Sequence, residues 1–167
     1  MKVFRILTAL LLLFCLLGGC SLSGASGSEV SFYYSRKDFS YGSQDAVVVA
    51  EQRDISGHEG DLKYILSLYL MGPLDEELTG IFPVTARVVG VKQDGTTLRI
   101  HLTPIAKALS EVEFSLACSC MTMTCMELTD CSQVCIICGD KTVTLSSADL
   151  LLFDDPIPTE IQLEETQ

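Results

Sequence analysis

Hydrophobic and polar residues first alternate along this chain with the period of short β-strands. Val30–Tyr34 alternates and carries aromatic residues, and Ala46–Ala50 is a run rich in β-branched valines. Both segments predict strands, because such residues pack well on a pleated surface. The polar segment Ser35–Gln44 between them predicts a turn.

The period then changes to that of a helix over Asp61–Leu70. The apolar residues of this segment recur at intervals of three and four: Leu62, Ile65, Leu66 and Tyr69. Such spacing places them on one helical face. We expect Gly72-Pro73 to end the helix, since Gly relaxes the backbone and Pro cannot continue the hydrogen-bond ladder.

A hairpin is predicted next, with Arg87–Lys92 as one arm and Thr96–Leu102 as the other. The arms are joined through Gln93-Asp94-Gly95, and Asp-Gly supplies the positive φ that a tight turn needs. The second arm alternates, with an apolar face (Leu98, Ile100, Leu102) and a polar face (Thr97, Arg99, His101). This alternation predicts one buried face and one wet face.

A second helix is predicted after Ser110, which has capping-box spacing to Glu113. One apolar stripe follows at helical period: Phe114, Ala117, Met121, Thr124/Cys125 and Leu128.

Three apolar segments complete the pattern. Val134–Cys138 predicts a short strand, Gly139-Asp140 a turn, and Lys141–Leu145 a second alternating strand with Val143 and Leu145 on one side. Leu150–Phe153 is expected to pack as an extended closing segment.

These elements together predict an α+β domain. Their order is β, α, β, β, α, β, with one further strand before and one after. A small mixed sheet with two helices packed on one face is the simplest arrangement that buries both helical stripes.

The amino terminus carries a targeting signal. Lys2 and Arg5 precede an apolar run of about 12 residues, which is shorter than the roughly 20 residues that span a bilayer. The run ends in Leu17-Gly18-Gly19-Cys20. This arrangement resembles the lipobox of bacterial lipoproteins, in which the thiol receives a diacylglycerol and becomes the first residue of the mature chain. The alternatives are an uncleaved anchor and a plain secretory signal.

The lipobox resemblance sets the expected boundaries of the chain. Residues 1–19 are predicted to be the signal peptide, 20–29 a flexible tether that begins at the lipidated Cys20, 30–153 the folded domain, and 154–167 a mobile acidic tail. Acyl chains would hold the protein at the cell membrane, on its extracytoplasmic face.

The charge balance limits the possible partners. The chain has a net charge of −11, and loss of Lys2 and Arg5 with the signal leaves 9 basic against 22 acidic residues, a balance of −13. Such a surface repels nucleic acid and anionic lipid headgroups. We therefore expect no nucleic-acid partner, and attachment to the membrane only through the lipid on Cys20.

Three local patterns follow one another between about residues 60 and 145. They are Leu68-Tyr69-Leu70-Met71-Gly72-Pro73, Ile81-Phe82-Pro83 with a hairpin that ends in Ile100-His101-Leu102-Thr103, and Thr124-Cys125-Met126-Glu127-Leu128 with Val134–Cys138 and Gly139-Asp140-Lys141. In this order and spacing they resemble the GerMN domain of sporulation and spore-germination lipoproteins.

The resemblance implies a βαββαβ fold like that of ring-building modules in secretion-type assemblies. It also implies a non-catalytic domain, without a cofactor, that docks to envelope or sporulation proteins through a sheet edge or hairpin face and could form a homo-oligomer. The expected role is therefore in sporulation, germination or assembly of the cell envelope.

The mature domain has a dense group of cysteines between Cys118 and Cys138, the full set being 118, 120, 125, 131, 135 and 138. Cys118 and Cys120 would diverge on a helix, and Cys135 and Cys138 would face opposite sides of a strand. We favour buried structural thiols, with Cys125, Cys131 and Cys138 as small core residues. Disulfides, or a thiol, redox or metal-binding site, are the alternatives.

No catalytic or metal-binding set is predicted elsewhere. The two histidines, His58 and His101, share no ligand spacing, and no carboxylate pair has an identified partner. We therefore expect a protein that is not an enzyme, with an extracytoplasmic redox protein as the alternative. A solute-binding lipoprotein is a third hypothesis, which the small size of the chain disfavours.

Overall fold

A computed structural model describes residues 28–38, 46–105 and 109–150. Ten elements follow one another along the chain: β1 (Glu29–Arg36), β2 (Val48–Asp54), α1 (Leu62–Tyr69), β3 (Leu78–Thr79), β4 (Val88–Asp94), β5 (Thr97–Leu102), α2 (Glu111–Leu128), β6 (Gln133–Cys138), β7 (Lys141–Ser146) and α3 (Ser147–Leu150). The α+β class predicted from the sequence is confirmed.

The larger sheet has four strands in the order β4-β5-β6-β7. β5 and β6 are parallel and the other pairs are antiparallel, so the sheet is mixed. The parallel pair needs a crossover, and α2 provides it. α1 contacts β4, and α2 contacts β6 and β7, so both helices pack against this sheet as predicted.

The remaining strands form a separate sheet in the order β2-β1-β3, where the sequence had suggested one sheet. β3 pairs only with Ser35 and Arg36, so most of that edge of β1 is left open. α2 lies beside this edge, and the Thr124 hydroxyl accepts a hydrogen bond of 3.0 Å from the N–H of Tyr33. A helix thus takes the place of a strand and satisfies part of the sheet edge.

Aromatic stacking joins this second sheet to α1. The rings of Tyr34 and Tyr69 stack with centroids 5.0 Å apart, and Phe32 meets Tyr69 edge to face. The Tyr34 hydroxyl donates to the Tyr69 carbonyl over 3.0 Å, and the Tyr69 hydroxyl donates to the Tyr33 carbonyl over 3.2 Å. Both buried phenols therefore have a partner, as buried tyrosines usually do.

α2 is buried around most of its circumference along its middle. The predicted stripe is buried from Phe114 to Cys125, and its last member, Leu128, is half-buried. Residues outside the stripe are buried as well: Cys118, Ser119, Cys120 and Thr122. The helix touches β1 on one side and β6 and β7 on another, so it has no long solvent face. Small side chains suit such a position, because they let the neighbouring layers approach closely.

Local signals in the sequence give the element ends well. The Ser110–Glu113 capping box forms at the start of α2, and Asp61 caps α1 by accepting from the N–H of Tyr64. In the β4–β5 hairpin the two loop residues are Gly95-Thr96, one position later than predicted. Gly95 has φ of 62°, as at the first loop position of a type II′ turn.

Other expectations differ from the structure or fall outside it. β1 continues through Ser35 and Arg36, and β2 extends to Asp54 because it pairs along the full length of β1. Leu150 ends the short helix α3 and is not extended. Several predicted segments lie outside the described residues: the signal peptide, the tether from Cys20 to residue 27, residues 39–44 and 151–153, and the acidic tail 154–167.

Candidate functional site

The sequence offered the cysteine group as one possible site, and the structure shows that none of these six thiols is exposed. Each is free and buried. Cys118, Cys125, Cys131 and Cys138 belong to the continuous hydrophobic core, and the Cys138 Sγ donates to the Thr103 carbonyl over 3.2 Å. Cys135 and Cys138 both lie in β6, three positions apart, and so face opposite sides of the sheet.

Burial also makes the helical thiols chemically inert. Desolvation raises the pKa of Cys118 and of Cys120 to about 12, and it raises the pKa of the fully buried Cys125 well above its ordinary range. The thiolate is the nucleophile and the metal ligand, so these groups remain unreactive at neutral pH. These thiols therefore act as small apolar core residues.

The histidines are not brought together. His58, in the loop before α1, stacks on Tyr64, in the first turn of that helix, with the ring centroids 3.8 Å apart. His101 is exposed on β5, opposite Gly90. Across residues 28–38, 46–105 and 109–150, no three His, Cys, Asp or Glu side chains converge as a metal site would require.

The most distinctive polar arrangement is a buried ion pair that sequence reasoning missed. Glu51 and Arg53 lie two positions apart on β2, so both point to the same face of the strand. The Arg53 Nε lies 2.6 Å from the Glu51 Oε1, and their side chains are only 8% and 11% exposed. The strand predicted from the sequence ended at Ala50, before both residues, so their i, i+2 spacing could not be recognised as a shared face of a strand.

This ion pair holds the loop that follows α1. Arg53 Nη2 donates to the Gly72 carbonyl over 2.7 Å, and Glu51 Oε2 accepts from the N–H groups of Leu74 and Asp75, each over 2.8 Å. The guanidinium also lies over the Phe32 ring, 5.6 Å from its centroid. The loop is thus tied to a buried point of the smaller sheet by three hydrogen bonds.

Large apolar side chains project from the loops around this point. Met71 is 80% exposed and Leu74 76%, and Val84, just before β4, is 84% exposed. Soluble domains bury most such groups, and clustered exposed ones mark contact surfaces. A rigidly held loop that presents apolar groups loses little entropy on binding.

A groove of about 480 Å³ lies between the end of α1 and the start of β4. Its lining is mostly apolar: Ser67, Leu70, Met71, Val84, Ala86, Arg87 and Val88. Met71 and Val84 are its exposed apolar members, whereas Ala86 and Val88 are buried. Arg87 Nη1 donates to the carbonyls of Val84 and Ala86 over 2.6 and 2.7 Å, which fixes the guanidinium beside the groove.

The described part of the chain contains no helix of the length and apolarity needed to cross a membrane. No protein-family model and no curated protein sequence matches the chain. A crystal structure at 2.5 Å, named "Putative Lipoprotein from Clostridium perfringens", is similar over 75% of this chain and 91% of its own, with 14% identity and a TM-score of 0.42.

Proposed function

We propose that this chain is a lipid-anchored extracytoplasmic lipoprotein whose single folded domain binds other envelope proteins and performs no chemistry. The proposal joins the lipobox-like sequence before Cys20 to an α+β domain whose six other described cysteines are buried. The resemblance to GerMN domains adds sporulation, germination or envelope assembly as the setting. A redox role is disfavoured, since raised pKa values keep the Cys118 and Cys120 thiols protonated.

One observation carries the proposal most directly. The loop after α1 exposes Met71 and Leu74 while a buried Glu51–Arg53 pair fixes its backbone. A buried ion pair contributes little net stability, because desolvation offsets most of the attraction. Its position suits another purpose, which is to hold the apolar groups in one conformation for a partner.

The groove suggests what that partner contributes. Its floor accepts an aliphatic side chain, and the fixed guanidinium of Arg87 beside it favours an adjoining carboxylate. We therefore expect an apolar segment of another envelope protein, with an acidic residue next to the aliphatic one.

Two measurements on intact cells test this function. Cys20→Ser removes the lipid acceptor, and the protein should move from the membrane fraction to the soluble fraction. In the lipidated protein, cross-links to an envelope partner should be lost in the double variant Met71→Asp/Val84→Asp. Val112→Asp is the matched control, because Val112 is also exposed but lies at the start of α2.

The results that would contradict the proposal are equally specific. An unmodified Cys20 in the mature protein would remove the anchor. Cross-links that survive in Met71→Asp/Val84→Asp, or that are lost equally in Val112→Asp, would show that the groove does not select the partner.

A further inference from the structure

The four-stranded sheet has a second face, directed away from the helices. Leu98, Ile100 and Leu102 point to the core, so the alternate residues of β5 point outward. The register places Lys92 of β4 opposite Arg99 of β5 on this outer face. We call the group formed by Lys92, Arg99 and His101 the basic face.

The basic face is unusual in so acidic a protein. All three of its members are exposed, and neither Lys92 nor Arg99 forms an ion pair or side-chain hydrogen bond within the described ranges. Hydroxyl groups of Thr142 and Thr144 lie further across the same face, on β7. One acid, Asp94, lies at its turn end, opposite Thr97.

The pairing of Lys92 with Arg99 costs stability. Like charges directly opposite each other on an antiparallel pair repel, and an acid at either position would relieve the repulsion. Violations of such a local rule concentrate at functional sites. Two cations that are side by side and available to a ligand can both reach one anionic group or two neighbouring ones.

We infer that the basic face is a second docking surface, which binds an acidic segment of a protein partner. The inference rests on the proposed function, because it names another surface of the same interaction domain. Charge complementarity selects the occupant, since carboxylates on an extended segment would match Arg99 and His101, two positions apart on β5, and Lys92 beside Arg99 on β4.

A protein segment is favoured over a membrane surface. The mature chain carries a balance of −13, so an extended anionic membrane surface would repel the chain as a whole. A short acidic segment interacts mainly with charges within about 8 Å, the screening length at physiological salt, and therefore mainly with the basic face. The predicted tether also enters the domain at β1, in the smaller sheet, whereas the basic face lies on the outer side of the larger sheet. The strand that follows the tether and the basic face therefore belong to different sheets.

The test compares neutral variants of the purified, lipidated mature protein in nonionic detergent. Lys92→Gln/Arg99→Gln removes the opposed cations, and Arg36→Gln/Lys63→Gln removes the same charge from exposed positions elsewhere. A labelled oligoglutamate peptide is the probe, and fluorescence anisotropy gives its affinity at low and at physiological ionic strength.

We expect the peptide to bind about tenfold more weakly to Lys92→Gln/Arg99→Gln than to the unmodified protein, and the affinity to fall with salt. The same variant should melt at an equal or higher temperature, which separates lost binding from lost folding. Arg36→Gln/Lys63→Gln should bind as the unmodified protein does.

Three outcomes would overturn the inference. The first is that both double variants bind the peptide equally well. The second is that the protein binds phosphatidylglycerol vesicles or polyphosphate in preference to the peptide. The third is that the protein binds the peptide only after residues 151–167 are deleted. None of them affects the cross-links made through Met71 and Val84, so failure here is distinguishable from failure of the proposed function.

Discussion

Two threonines of α2 allow a test in which the same substitution should have opposite effects. Thr122 and Thr124 are both fully buried. The Thr124 hydroxyl accepts from the N–H of Tyr33 and donates to the Cys120 carbonyl, each over 3.0 Å. The Thr122 hydroxyl has no hydrogen-bond partner among the described residues. Replacement by Val keeps the shape and the β-branching at both positions and removes only the hydroxyl.

The expected magnitudes follow from hydrogen-bond accounting. Thr124→Val leaves the N–H of Tyr33 without an acceptor at a partly buried sheet edge, which costs about 1.5 kcal/mol. Thr122→Val removes a polar atom whose burial is uncompensated, which should stabilise the protein by about 1 kcal/mol. Helix propensity changes equally in both variants and cancels in the comparison.

Urea unfolding measures this difference. With an m-value of about 1.5 kcal/mol per M, the midpoints of the two variants should lie roughly 1.7 M apart, with Thr122→Val the more stable. Loss of stability in Thr122→Val comparable to that in Thr124→Val would refute the reasoning. It would show that α2 is not enclosed between the two sheets as described.

Three further predictions concern the ion pair, the thiols and a turn. Arg53→Met leaves Glu51 buried without its cation and should lower the free energy of unfolding by about 3 kcal/mol, and amide exchange in the loop after α1 should accelerate. Burial raises the pKa of Cys118, so as the pH rises the unfolded chain loses this proton before the folded protein does. The free energy of unfolding should therefore fall above about pH 8.5, and it should fall less steeply with pH in Cys118→Ala than in the unmodified protein. Gly95→Ala should cost about 1 kcal/mol because φ is 62°, whereas the control Gly90→Ala, with open space around it, should change stability by less than about 0.5 kcal/mol in thermal melts.

Much of the fold could be predicted because its signals are local. The capping box at Ser110 and Glu113, the alternation of β5 and the positive φ of Gly95 in the hairpin turn each depend on residues within a few positions of one another. Physical rules for caps, pleats and turns therefore recover these elements.

The division into two sheets could not be predicted in the same way. It depends on β3, two residues long, pairing with Ser35 and Arg36 more than forty positions earlier. A strand of two residues is too short to show an alternation of apolar and polar residues, so the sequence gives no sign of this long-range pairing. The single apolar stripe predicted for α2 likewise left out Cys118 and Cys120, because a helix packed between two layers is buried on more than one side.

The candidate surfaces were even less visible in the sequence. Met71 and Leu74 resemble core residues by type, and only the tertiary placement of the loop exposes them. The outward direction of Arg99 and His101 was predicted from alternation. The position of Lys92 directly opposite Arg99, however, depends on the register of the hairpin, whose turn was predicted one position off.

The stacked rings of Tyr34 and Tyr69 give this protein an optical property of its own. The chain has no Trp, so its near-ultraviolet circular dichroism comes largely from tyrosines. Two rings 5.0 Å apart with planes only 6° from parallel should couple electronically. Because one ring belongs to β1 and the other to α1, that spectral signal reports the docking of helix and sheet directly, and no label is needed to follow it.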